Sequence, residues 1–149
     1  MKQSSNKPHP CFFIILGMMA MLPPLAIDMY LPSFLDIAKD LAVSQEKVQT
    51  TLAIFTIGFA VGQLFWGPIA DSFGRKPIIL LGLCGASIAA FFLTQVASIG
   101  SFYLLRLIQG LCGAAPAVVL GALVRDLFER NRFAQMMSVI MIISMLAPL

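Results

Sequence analysis

Charge is scarce in this sequence. Of its 149 residues, 11% are Asp, Glu, Lys or Arg, whereas soluble domains carry about 25%. Hydrophobic residues make up 59%, and the mean hydropathy is +0.91. A soluble fold of this size leaves about a third of its surface in water. That much apolar surface therefore excludes an ordinary water-soluble domain and points to lipid as the solvent. The net charge of +3 is not gathered into a basic run, which argues against nucleic acid as a partner. Histidine is reduced to His9, in the polar N-terminal stretch. No His-based catalytic or metal cluster is available, and no cofactor is implied. Cys11, Cys84 and Cys112 are odd in number, far apart, and each in or beside an apolar stretch. They read as small apolar filler, not as a disulfide frame or a zinc site. Ser–Lys, HExxH and paired intramembrane Asp arrangements are missing too, so an intramembrane enzyme has no chemistry to work with. Low-complexity segments and short repeats are absent.

Long hydrophobic runs are what the sequence has in plenty. A helix needs about 20 apolar residues to cross the hydrocarbon. Four stretches qualify: 11–34, 48–70, 77–97 and 101–124. A fifth begins near Phe133 and is still apolar at Leu149. The first run follows MKQSSNKPHP, as in a signal peptide. It is too long for one, and no small-x-small site precedes Asp28, so it is expected to be a retained span. The expected organisation is a tail over 1–10 and an all-α, polytopic membrane helix bundle over 11–149, with four complete spans and a truncated fifth.

The connections are short, about 35–47, 71–76, 98–100 and 125–132, which makes successive spans antiparallel. With the N-terminus inside, one side holds Lys2, Lys7, Arg75, Lys76, Arg125, Arg130 and Arg132, and the other holds Lys39 and Lys47. The bias predicts a cytoplasmic N-terminus in a cytoplasmic (inner) membrane. Gly58 and Gly62, and Gly110 and Gly113, are spaced for close helix approach. Pro23, Pro24 and Pro116 interrupt backbone hydrogen bonding within spans, which suggests bent helices around a cavity.

Two ionisable residues stand inside spans. Asp28 lies in PPLAIDMYLP, and Arg106 in YLLRLIQGLCGAA. An intramembrane acid costs about 2.5–3.5 kcal/mol at a helix centre unless protonated, hydrated or paired. The first span climbs outward and the fourth descends from outside, so both residues fall in the outer half at similar depth. The expectation is an Asp28–Arg106 pair in a partly dry cavity, able to change protonation as something else enters. The alternative is a purely structural pair, or Asp28 facing the outer headgroups. Gln109, Gln63 and Tyr30 are candidates for added polar contacts or for packing. Met18, Met19, Met21 and Met29 suit either an adaptable cavity lining or a lipid-facing surface.

The stretch GPIADSFGRKPIIL, 67–80, is the most specific. Gly67 and Pro68 end the second span, Asp71 stands at the helix exit, Gly74 supplies the turn, and Arg75 and Lys76 follow. Pro77 suits the first turn of the next helix. This stretch resembles the signature loop of the major facilitator superfamily, Gly-x-x-x-Asp-x-x-Gly-Arg-Lys. Arg106, Gln109, Gly110, Gly113, Ala114 and Ala115 resemble that superfamily's fourth-helix pattern. LAIDMYLPSF and the VRDLF at 124–128 resemble its Bcr/CflA branch of drug:proton antiporters. The likeness covers nearly all of 12–149.

The resemblance implies a fold of twelve spans in two six-helix halves, with the site between them. It implies that Asp71 bonds across to the second half as a conformational latch with Gly67, Gly74 and Lys76, while Arg75 and Asp126 form a supporting charge relay. Arg106 is expected to serve proton coupling, Asp28 to be a proton or substrate site, and Gln109 to line the cavity with them. Ser72 departs from the family, which usually has Arg or Lys there. The implied function is multidrug efflux by proton-coupled antiport, with the lipid bilayer, lipophilic drugs, protons and a C-terminal half as partners. This chain is then an N-terminal fragment. Two alternatives stand beside it: an uptake carrier for sugars or metabolites, and a non-transporting remnant.

Overall fold

The computed structural model describes residues 10–127 and 130–145, with side chains over 13–127 and 132–145. The tail over 1–10, save the backbone of Pro10, lies outside the described residues, as do 146–149. Among the described residues six α-helices follow one another: α1 Pro10–Asp28, α2 Phe34–Asp40, α3 Gln45–Phe73, α4 Arg75–Leu93, α5 Ile99–Leu127 and α6 Arg130–Met145. Among the described residues there is no strand. The helices α3 and α5, at 29 residues each, are about 44 Å long, more than the roughly 30 Å of hydrocarbon. Among the described residues four segments are long and apolar enough to cross a membrane.

The first span departs from the expected 11–34. Its helix runs through Pro23 and Pro24 but stops at Asp28. A 3₁₀ turn over Leu31–Ser33 and the short helix α2 follow. Pro32 explains the break, since it lacks the N–H that would continue the α-helical bonding back to Asp28. Part of the expected loop 35–47 is therefore helical. At the other end of the bundle, the expected connection 71–76 shrinks to Gly74 alone. Its φ of 91° lies where L side chains are strained and glycine is not.

α5 is the centre of the bundle. In its most apolar window 39% of residues are buried, against 17% in each of the other three spans. It packs against α3 on one side and α4 on the other, while α1 packs on α6 and α5. Lipid supplies no hydrophobic drive for helix pairing, so backbones must come close enough for dispersion to hold them. Gly58 and Gly110 allow this: a Cβ on Gly58 would run into the Leu107 carbonyl, and one on Gly110 into the Phe55 carbonyl. Ala114 and Ala115, both fully buried, continue the thin face of α5. The expected pairing of Gly110 with Gly113 separates here. Gly113 has nothing within 4 Å of a Cβ and lines a cavity instead. The Trp66 indole donates to the Leu111 carbonyl at 2.7 Å, a further bond between α3 and α5.

Large apolar side chains such as Leu64, Phe65, Phe91 and Ile142 point outward and are exposed. This is the reverse of a water-soluble fold and matches a lipid solvent.

Candidate functional site

The bundle frames an open cavity of about 860 Å³ between α1, α2, α4 and α5, with Phe55 and Phe59 of α3 in its wall. Its lining is mostly apolar. The formally charged residues on it are Asp40, at the end of α2, and Arg106. Gln109 lines it as well, one turn along α5.

Arg106 is 3% exposed, so its charge needs partners within the protein. Its Nη1 donates to Gln109 Oε1 at 3.1 Å and to the Ala26 carbonyl at 3.3 Å. Ala26 belongs to the last turn of α1, where the helix no longer supplies a donor for every carbonyl; Leu25 and Ile27 accept from Met29 and Tyr30 N–H. A cation there also meets the negative end of the helix dipole. The guanidinium carbon lies 3.6 Å from the centroid of the Tyr30 ring, with the Phe55 and Phe102 rings at 5.9 Å each. A cation over an aromatic face out of water gains about 2 kcal/mol. The Nε has no hydrogen-bond partner, which costs about 1–3 kcal/mol for a buried donor.

The expected pair is not formed. Among the described residues the ion pairs are Asp36–Lys39 and Arg75–Asp126, and Asp28 does not line the cavity. Helical rotation is the reason. Leu22, Leu25, Ala26 and Met29 share the cavity face of α1. Asp28 is turned by about 110° from the centre of that face. Arg106 is instead engaged by the backbone end of α1, by Gln109 and by Tyr30. The depth argument was sound, since Ala26 and Tyr30 flank Asp28, but depth did not fix the facing.

Tyr30 is the residue that sequence reasoning undervalued. It is 8% exposed, packs edge-on against Phe34 at 4.8 Å and stacks on Phe102 at 6.0 Å. Thr51 donates its hydroxyl proton to the Val48 carbonyl. The 2.9 Å bond between the Tyr30 and Thr51 hydroxyls is therefore donated by Tyr30. The signal that could have found it is Pro32, which ends α1 inside an apolar run and leaves the Ala26 carbonyl to a side-chain donor. Of the four methionines considered as lining, Met29 alone reaches the cavity. Met19 is buried with Leu16, Leu120, Val124 and Ile140, and Met18 faces outward. Gln63 is exposed on α3.

At the opposite end, Arg75 Nη2 donates to Asp126 Oδ2, joining the start of α4 to the end of α5. Asp71 and Lys76 are exposed and Gly67 is half-buried. Among the described residues neither Asp71 nor Lys76 is in an ion pair. Ser72 donates to the Pro68 carbonyl, one turn back, at 3.0 Å. The hydroxyl thus closes on its own helix where a longer cation would reach outward.

Residues 11–149 of the chain match the family model described as Major Facilitator Superfamily. The chain belongs to the major facilitator superfamily. It is a multi-pass membrane protein. It is 57% identical to the "Bicyclomycin resistance protein homolog" of Haemophilus influenzae, over 93% of this chain and 35% of that protein. It is 38% identical to the "Uncharacterized MFS-type transporter YdgK" of Bacillus subtilis, over 97% of this chain and 36% of the relative. With "Multidrug resistance protein D" of Escherichia coli it shares 30% identity, over 91% and 36%. The chain thus spans about a third of the length of the curated relatives it matches.

Proposed function

We propose that this chain provides part of the drug path of a proton-coupled multidrug exporter in the cytoplasmic membrane, with its N-terminus on the cytoplasmic side. The observation that carries the reading is the cavity of about 860 Å³ with Arg106 in its wall. A mostly apolar lining admits lipophilic molecules of varied shape. The names of the relatives, one for bicyclomycin resistance and one for multidrug resistance, support the same substrate class. The side bearing Arg75, Lys76, Arg125 and Arg132 supports the orientation.

Asp28 is proposed as the proton site and Arg106 as the charge that responds. Asp28 is the last residue of α1, and Arg106 is held by a carbonyl two residues earlier. An ionised carboxylate adds to the negative end of the α1 dipole and strengthens its hold on the guanidinium. A proton on Asp28 weakens that hold through the helix end, without a direct bond. Gln109 steadies the guanidinium from its own helix. Gly67, Asp71, Gly74, Arg75, Lys76 and Asp126 are proposed to latch one conformation of the carrier against its other half. Sparse polar groups in the cavity disfavour sugars as cargo.

The test is transport in proteoliposomes by the natural protein. An inward proton gradient is expected to drive export of a lipophilic drug, and Asp28→Asn is expected to abolish it while the protein still inserts. Pumping by Asp28→Asn against a gradient would defeat the coupling role. Drug flux indifferent to the proton gradient would defeat the antiport reading itself.

A further inference from the structure

We infer that Tyr30 is the positioning residue for Arg106, its ring fixing where the cavity's base presents its charge. This deepens the proposed proton-coupled transport and rests on that reading for its functional meaning. The ring is held at three points. Its hydroxyl is bonded to Thr51 on α3 at 2.9 Å, and Thr51 is fully buried. One side of the ring packs on Phe34 and another on Phe102. Such a ring cannot follow a wandering guanidinium; the guanidinium must come to it.

The other contacts of Arg106 do less to place it. Its bond to Gln109 lies within α5, one turn away, and so cannot set its place relative to α1. The bond to Ala26 is long, at 3.3 Å, and Nε is bonded to nothing. The contact that is both close and immovable is the Tyr30 face, at 3.6 Å. Through it three elements meet at one charge: the turn after α1 supplies the ring, α3 pins the hydroxyl, and α5 carries the base. Shifts of α3 against α5 thereby reach Arg106 through Tyr30.

The test is chemical and needs no transport. Phenylglyoxal modifies arginines whose guanidinium is accessible, and mass spectrometry maps the product residue by residue in the natural protein in detergent. Arg106 is expected to be shielded in the wild type. Tyr30→Leu is expected to raise its reactivity about tenfold, as the loss of a buried cation–π contact would. Tyr30→Phe keeps the ring and is expected to keep the shielding. Arg125, exposed at the other end of α5, reports the fold and is expected to react alike in all three. Tyr30→Met fills a similar volume without a π face and gives the same reading if Tyr30→Leu fails to insert. Equal shielding in Tyr30→Leu or Tyr30→Met and the wild type overturns the inference, as does a rise in Tyr30→Phe equal to theirs. Because the readout is reactivity, it fails or holds separately from proton-driven export.

Discussion

The Arg106 guanidinium faces the ring of Tyr30 at 3.6 Å, and the nearby acid Asp28 is not its ion-pair partner. A buried cation on an intramembrane helix thus finds its compensation in an aromatic face, a side-chain amide and the carbonyl end of a broken helix. Removing the base tests how much those partners depend on it. Arg106→Leu leaves the Ala26 carbonyl without its donor, and the cost of one buried acceptor is about 1–3 kcal/mol. The expected outcome is a protein that folds but melts lower in detergent, with drug export lost. Undiminished export would remove Arg106 from the mechanism.

The hydroxyl bond between Tyr30 and Thr51 is expected to be worth about 1 kcal/mol. Tyr30→Phe and Thr51→Val each remove it. In a double-mutant cycle read by unfolding in detergent, the two losses should not add, because the second change has no bond left to break. Simple additivity would mean that the bond contributes nothing.

Glycines on α5 divide into those that permit contact and those that do not. Gly110→Val would drive its side chain into the Phe55 carbonyl, and overpacking of this kind costs about 1–3 kcal/mol or more. Gly113→Ala meets nothing and is expected to be neutral or slightly stabilising, since alanine favours helix over glycine by about 1 kcal/mol. Thermal unfolding of the two variants side by side decides the matter. Equal effects would contradict the assigned α3–α5 contact.

The Arg75–Asp126 pair joins two helix ends where Arg75 is 27% and Asp126 56% exposed in their side chains. An exposed pair contributes about 0–1 kcal/mol and is screened by salt. Asp126→Asn is therefore expected to change the melting temperature little and export considerably, because the pair's proposed task is to hold one conformation. The charge swap Arg75→Asp with Asp126→Arg is expected to recover part of the lost export. A large stability loss with export intact would make the pair a brace and not a latch.

Much of the bundle was legible in the sequence because its solvent dictates it. Apolar runs of spanning length gave α3, α4 and α5 within a few residues, and the glycines marked close helix approach without saying which helices would meet. The first span was misjudged at its C-terminal end, because hydropathy continues through Leu31 and Phe34 while Pro32 has already stopped the helix. That single break governs the site. It leaves the Ala26 carbonyl to Arg106 and brings Tyr30 beneath the guanidinium. Span boundaries set depth but not rotation about the helix axis, so matching heights did not reveal which group Arg106 would meet. Tyr30 read as packing because an aromatic at the end of an apolar run has no sequence mark of the charge it will face.

Drug-triggered proton release is the sharpest test of Asp28 as the proton site. The natural protein, purified in weakly buffered detergent, is mixed with a lipophilic drug, and the bulk pH is followed with an indicator dye. The expectation is a proton released on drug binding by the wild type and none by Asp28→Asn, although both bind the drug. Release of the same proton by Asp28→Asn would show that the drug displaces it from some other group.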